Sequence, residues 1–597
     1  MLKKDPMLLS LLLGCAIFWC SCQGGAGASF SSDTAVIARG ERVFTQYCGG
    51  CHNFSKSAIG PALGGVTEQV SSDWIKRFIR DPRKVIEAGD DRAVRLFKQY
   101  KVMMPAFDQL KEDELNGVLS YLHIHKAGVG GTRVHGQAIA DPIPGGIAPS
   151  GLEVGLRLVT QFPRSADSGH MPLARITKLD FEPRSGRTFV VDLRGKLYRL
   201  EDGTPSVYMD MARLRPGFIH EPRIATGFGS FAFHPDFAHN GLLYTTHSER
   251  AGSGKADFGY GDSIKVTLQW VVTEWKTADP GAAIFSGQGR ELLRVNMVTG
   301  MHGVQEIAFN PHARRGDKDY GKLYICVGDG ACVEEGYPTL THSLEKVWGT
   351  ILRIDPSGHD SRNGRYGIPA DNPFVHAGGS LAHRRDSLAH PRGSLTPSPD
   401  SLVLKEIYAY GFRNPHRISW SKDGKMLAVN IGQTNIESVY WVMPGHDYGW
   451  PIREGNFLLD PYGDLDKVYA LPADDSAYHI TYPIAQYDHD EGKAICGGYV
   501  YEGKALPALR GKFLFGDVVN GRLFYFEMAD VIQGRPAPIR EWKITVDGKP
   551  ATLLGLCGGD RADLRFGRDA RGELYIMTKT DGKVYRLTSA TLQRPVR

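Results

Sequence analysis

The sequence predicts a small all-α domain followed by a larger all-β domain built from six repeated units. Three observations carry that expectation. The chain has 597 residues, too many for a single core of roughly 100–200 residues, so it holds at least two domains. Helical apolar spacing brackets its first part, with Leu115, Val118, Leu119 and Leu122 on one face of the second helix. Glycine then dominates: 71 of 597 residues, about 12% against a usual ~7%. With no collagen-like period, that excess means many turns and many short strands. Lys and Arg (71) outnumber Asp and Glu (66) by five, spread thinly, which is not the concentrated basic stripe that nucleic acid requires. A hydrophobic content of 42% and a mean hydropathy of −0.27 exclude a polytopic membrane protein.

Residues 1–22 read as an export signal. Lys3 and Lys4 precede an apolar run, Met7 to Trp19, of 13 residues; a membrane span needs roughly 20. Cys15 and Cys22 are candidate lipid-anchor sites, and the Gly/Ser-rich run 23–33 follows as a tether. The protein is therefore expected outside the cytoplasm, periplasmic or anchored as a lipoprotein facing that side. An oxidising compartment permits disulfides. Cys326, Cys332, Cys496 and Cys557 allow three pairings, and buried thiols are the other reading.

The helical domain is expected over 34–126. Cys48-Gly49-Gly50-Cys51-His52 is the C-x-x-C-H spacing of covalent c-type haem attachment. The thiols of Cys48 and Cys51 add to the haem vinyl groups, and His52 becomes the proximal iron ligand. Zinc would need a second Cys/His pair nearby, and none follows in the next 50 residues. A helix is expected over Thr34 to Gln46, with Gly40 small enough to let it cross a closing helix over Glu112 to His123. This segment resembles the class I cytochrome c family, including Gly60-Pro61 after the haem motif. The resemblance implies that the Pro61 carbonyl orients His52. It also implies a thioether as sixth ligand, which is Met104, directly before Pro105, with Met103 as the alternative. Iron with both axial positions filled carries electrons and does no substrate chemistry.

Residues 127–150 are rich in Gly and Pro and read as a linker. Over 151–591 a unit recurs: an apolar strand, a Pro or Asp turn, then Gly-x-Leu-Tyr or a near match. It appears around Leu179-Asp180-Phe181, Phe231-Ala232-Phe233, Ile307-Ala308-Phe309, Ile418-Ser419-Trp420, Phe513-Leu514-Phe515 and Leu564-Arg565-Phe566. Six such units predict an all-β six-bladed propeller with long connecting loops. The near-duplicated run Ser380-Leu381-Ala382-His383 and Ser387-Leu388-Ala389-His390 is read as a solvated low-complexity insertion.

Several segments are not needed for packing of the repeat: Met301-His302-Gly303, Val327-Gly328-Asp329-Gly330, Gly411-Phe412-Arg413-Asn414-Pro415 and Asn430-Ile431-Gly432-Gln433. With Phe233-His234-Pro235-Asp236-Phe237 and Tyr448-Gly449-Trp450-Pro451, they make residues 170–590 resemble the soluble glucose, aldose and sorbosone dehydrogenases that depend on pyrroloquinoline quinone (PQQ). The resemblance implies His302 as general base, since an imidazole of pKa ~6.5 is a neutral base near neutral pH. It implies Asp329 as the group that orients that imidazole, and Arg413 and Asn414 as the groups that hold and polarise the quinone oxygens. Gly432 and Gln433 would bind calcium through their backbone carbonyls.

The family's pattern is broken at Ala225, where a glutamine is usual, and at Val519, where a lysine is usual. Arg561 is left as the expected anion-binding partner. The function implied is oxidation of an aldose or related hydroxyl compound by PQQ, with electrons passing to the c-type haem and on to a downstream acceptor. The alternative is a non-enzymatic propeller that binds glycan or protein, fused to an electron-carrier cytochrome.

Overall fold

The structure is a computed structural model that describes residues 30–49, 51–52, 54, 59–125, 136–223, 225–261, 264–376 and 403–592. The export signal, residues 23–29 of the tether, residues 127–135 of the linker and the duplicated run at 379–395 lie outside the described residues.

The helical domain opens with Thr34–Val43, capped by the Asp33 carboxylate, which accepts from the Ala35 amide at 2.8 Å. The expected helix runs to Gln46; in the structure its α-helical part stops at Val43 and a wider π-helical turn, Phe44–Cys48, carries the chain into the haem motif. Ser72–Arg80, Pro82–Glu87 and Asp91–Tyr100 follow, each capped by the side chain before it: Ser71, Asp81 and Asp90. The closing helix is Glu112–Ile124. It crosses the first helix backbone to backbone, so that a Cβ on Gly40 would lie 1.9 Å from the Gly117 carbonyl oxygen. Val43, Phe44, Ile75, Ile79, Leu115, Val118, Leu119 and Leu122 form the core beneath the crossing.

The β domain is made of antiparallel four-stranded groups. The first is Ile176–Phe181, Thr188–Asp192, Lys196–Glu201 and Thr204–Asp210; the second is Phe228–Phe233, Leu242–Arg250, Leu268–Thr277 and Gly287–Met297. The third comprises Glu306–Phe309, Leu323–Val327, Thr350–Ile354 and Ile407–Tyr410, and the fourth Pro415–Trp420, Met426–Asn430, Ile436–Val442 and Ala485–Asp488. The fifth is Ile495–Val500, Lys512–Asp517, Leu523–Glu527 and Arg540–Val546. The sixth joins the two ends of the domain: Leu564–Arg568, Leu574–Thr578 and Lys583–Leu592 are completed by Ala148–Gln161.

Parallel pairings link the sixth group to the fifth and to the first, giving one 13-stranded sheet. The first strands of the groups touch one another in chain order, and Leu564–Arg568 returns to Ile176–Phe181.

The repeated glycine has a backbone reason. Gly195, Gly241, Gly321 and Gly572 all have positive φ, from 63° to 105°, where a side chain is disfavoured. At Gly241 a Cβ would also meet the Thr277 carbonyl oxygen at 2.2 Å. The fifth unit begins earlier than expected, at Ile495–Val500 rather than around Phe513.

The first strands also carry buried charges. Lys178 Nζ lies 2.6 Å from Glu306 Oε1, and Arg417 pairs with the same carboxylate while donating to the Thr177 carbonyl at 2.9 Å. Three groups are thereby tied together at their inner edges.

Residues expected in the linker are held against this domain. The Ile139 amide donates to Val468 O at 2.9 Å, and the Ile143 amide to Asp488 Oδ2 at 3.1 Å. Cys326, Cys332, Cys496 and Cys557 are all free thiols, and burial pushes the pKa of the first three upward.

Candidate active site

Two cavities meet where the domains touch. The first, about 710 Å³, is lined by Cys48, Cys51, His52, Pro61, Met103 and Met104. His52 Nδ1 lies 2.9 Å from the Pro61 carbonyl oxygen. A carbonyl only accepts, so Nδ1 carries the proton and Nε2 keeps its lone pair for a metal. Met104 packs against the domain core. Two thiols, an imidazole nitrogen with a fixed tautomer and a thioether on the walls of one apolar cavity form a donor set that fits haem c.

The second cavity lies in the β domain and gathers residues far apart in sequence. His302, Arg413, Asn414, Gly432, Gln433 and Arg561 all line it. His302 sits in the left-handed region, φ 46°, a conformation that a non-glycine residue holds only when its surroundings fix it. Its Nδ1 is 2.7 Å from Asp329 Oδ1, and its carbonyl accepts from the Gly330 amide at 3.2 Å. Asp329, with no exposed surface, also accepts from the Ala331 amide at 2.9 Å and from Trp450 Nε1 at 3.0 Å. Its own amide donates to the Arg413 carbonyl at 2.8 Å. The carboxylate thus holds the proton on Nδ1 and leaves Nε2 as the basic nitrogen.

The Arg413 guanidinium lies 5.6 Å from the Trp450 ring centre, pairs with Glu334 and donates to the Gly432 carbonyl. The amides of Arg413 and Asn414 both donate to Asn430 Oδ1, at 3.1 and 3.0 Å. With a guanidinium on the Gly432 oxygen, that carbonyl fits calcium poorly. Among the described residues there is no cluster of three or more His, Cys, Asp or Glu able to hold a metal ion.

Arg561 pairs with Asp563 at 2.6 Å, so it is not a free anion partner. Lys493, Arg565 and Lys579, which sequence reasoning missed, line the same cavity. Arg565 and Lys579 are buried, and neither has an ion pair among the described residues. Burial, with Arg565 adjacent, lowers the pKa of Lys579 well below that of a free lysine, and burial brings that of Lys493 down to about 8. His416 lies beside them, buried, with Nδ1 unpartnered among the described residues. Burial first, and these cations second, keep its ring neutral. Asp563 is the carboxylate beside them, shared by Arg561, Arg565 and Lys579; buried cations in such excess are costly, so this floor suits an anion with more than one carboxylate.

The lost glutamine also has a replacement: Gln305 lines the cavity and donates to the Ala225 carbonyl at 2.8 Å. Val519 faces the haem cavity instead. The one available signal for Arg565 was a charge inside an apolar strand, Leu564-Arg565-Phe566. Lys493 and Lys579 stand beside turns with no pattern of their own.

His52, Gly49 and Ile59 line this second cavity too. The domains meet through Gln46 Nε2 and Glu221 Oε1 at 3.0 Å, the ion pairs Arg83–Asp560 and Lys101–Asp490, and the stacked rings of Tyr47 and His170.

Residues 37–126 match the family model described as Cytochrome c, and residues 394–586 match that described as Glucose / Sorbosone dehydrogenase. The chain therefore joins a segment similar to cytochrome c to one similar to glucose/sorbosone dehydrogenases.

Among curated relatives, the HIPL1 protein of Arabidopsis thaliana is 27% identical over 60% of this chain and 53% of its own length. The human Hedgehog-interacting protein (Homo sapiens) is 25% identical over 60% of this chain and 43% of its own. Quinoprotein glucose dehydrogenase B of Acinetobacter calcoaceticus is 19% identical over 57% and 64%. This chain spans about half the length of the first two. A solved structure, the PQQ-bound form of aldose sugar dehydrogenase from Streptomyces coelicolor, superposes with a TM-score of 0.45 at 19% identity, covering 74% of this chain and 99% of that one.

Proposed function

We propose that the chain is an exported quinohaemoprotein that oxidises an aldose or related hydroxyl compound and passes the electrons to its own c-type haem. The β domain is read as a six-bladed propeller, supported by six four-stranded groups whose first strands touch in a cycle and whose ends share one group. Export rests on the apolar run Met7 to Trp19, and a lipid anchor on Cys22 or Cys15 belongs to the same reading. The observation that carries the proposal is the His302–Asp329 pair in a cavity that also holds Arg413, Arg565, Lys579 and His52.

PQQ, when bound, supplies a two-electron acceptor with three carboxylates; Arg565, Lys579 and Lys493 would hold these. Haem, when bound, accepts electrons one at a time. His302 takes the substrate hydroxyl proton at Nε2 as the carbon is oxidised, and Asp329 stabilises the imidazolium through Nδ1–H. Arg413 faces the negative charge that develops, and Trp450 fixes Asp329. The helical domain over the cavity mouth keeps water from it and puts the haem ligand His52 on its wall.

The test is PQQ binding to the purified full chain, with and without calcium, followed by addition of aldoses. Haem reduction without a mediator is expected, and His302→Ala should lower its rate at least ~100-fold while leaving the oxidised haem spectrum unchanged. The Hedgehog-interacting relatives favour a second reading, a propeller that binds another protein. A chain that binds no PQQ would support it.

A further inference from the structure

Arg223 is the one arginine that lines both cavities besides Arg561, and unlike Arg561 it has no hydrogen-bonded or ion-paired partner for its guanidinium among the described residues. Its backbone is in the left-handed region, φ 72°. The segment that presents it is held from behind: buried Arg175 donates to the carbonyls of His220 at 2.6 Å and Arg223 at 3.2 Å. Its guanidinium lies against the haem-attachment loop, so close that a Cβ on Gly49 would sit 2.9 Å from the guanidinium carbon. Two residues earlier, Glu221 takes the Gln46 side chain from the turn that enters the same loop.

We propose that Arg223, presented on the Cys48–Cys51 loop by a segment whose carbonyls Arg175 holds, is the positioning residue that seats the haem against the β-domain cavity and sets the haem potential. Oxidised haem carries one more positive charge than reduced haem. A guanidinium fixed beside it therefore disfavours the oxidised state and raises the potential. The bare glycine at position 49 is what admits the guanidinium. The inference rests on the haem reading of residues 34–126 and needs neither quinone nor sugar.

The test is spectroelectrochemistry of the full haem-loaded chain carrying Arg223→Lys, Arg223→Gln or Arg223→Glu, with amide hydrogen exchange read over 44–49. The expected result is a potential near the parent value for Lys, lower for Gln and lowest for Glu, with faster exchange in the Gln and Glu variants. A purely structural role moves all three alike. Equal shifts in the Lys and Glu variants, or a parent potential in the Gln variant, overturn the proposal. Since no substrate is added, failure of the sugar-oxidation reading leaves this result standing.

Discussion

At the scale of single residues, the cations under the second cavity give a pH dependence with a definite sign. Burial lowers the pKa of Lys493 to about 8, and burial with Arg565 adjacent holds that of Lys579 well below the usual lysine value. Lys493 is therefore increasingly neutral in the empty cavity above that pH. A polycarboxylate restores the charged form, so binding takes up protons above about pH 8 and affinity falls as pH rises from 8 to 9.5. Calorimetry in buffers of different ionisation enthalpy measures that uptake; an affinity flat across this range would remove Lys493 from the anion site. Residues of this kind are hard to read from sequence. The expected haem-attachment residues Cys48, Cys51 and His52 were legible because they fall within five consecutive positions. Lys493, Arg565 and Lys579 come from the fifth and sixth strand groups, and only folding brings them together. Arg561 was legible, but its engagement by Asp563 two residues on was not.

At the scale of elements, the helix crossing at Gly40 and Gly117 is the tightest contact of the helical domain. Gly40→Ala drives a methyl into the Gly117 carbonyl, and the two helices must part. Overpacking of this kind costs about 1–3 kcal/mol. The expected outcome is a lower melting temperature for the haem domain with less haem attached, measured by calorimetry and by the pyridine haemochrome spectrum. The crossing was readable because glycine weakens a helix interior and is kept there where a neighbouring backbone leaves no room for a side chain. Most strand groups were readable for a similar reason: their turn glycines recur with the same left-handed backbone. The fifth is legible only from its second strand onward, since Gly497 and Gly498 interrupt the apolar run of Ile495–Val500 and hide it.

At the scale of the whole molecule, the domain contact includes two ion pairs at its exposed rim. Arg83–Asp560 and Lys101–Asp490 have side chains about half exposed, and exposed pairs contribute little and are screened by salt. Raising ionic strength from about 0.05 to 0.5 M shortens the Debye length from roughly 14 to 4 Å. Haem reduction from the β domain should then slow several-fold while haem potential changes little, as stopped-flow spectroscopy can follow. Salt-independent rates would mean that apolar contacts, and not these pairs, hold the docked state. The sequence foretold two domains and their order, but not that residues 136–147 lie along the β domain.

Ala148–Gln161 is the first strand of the β domain to leave the ribosome and one of the last to find its partners. Gly155 pairs with Ser589, and its carbonyl accepts from Thr588 across 433 residues of chain. The helical domain is complete once residue 124 has emerged, and it must wait, folded, beside an unpaired strand edge. Contacts of such separation form slowly. Until residues 540–592 arrive, that edge is open to any other strand, including the same strand of a second nascent copy. A chain cut short before Lys583 would keep an intact helical domain attached to a sheet that cannot close.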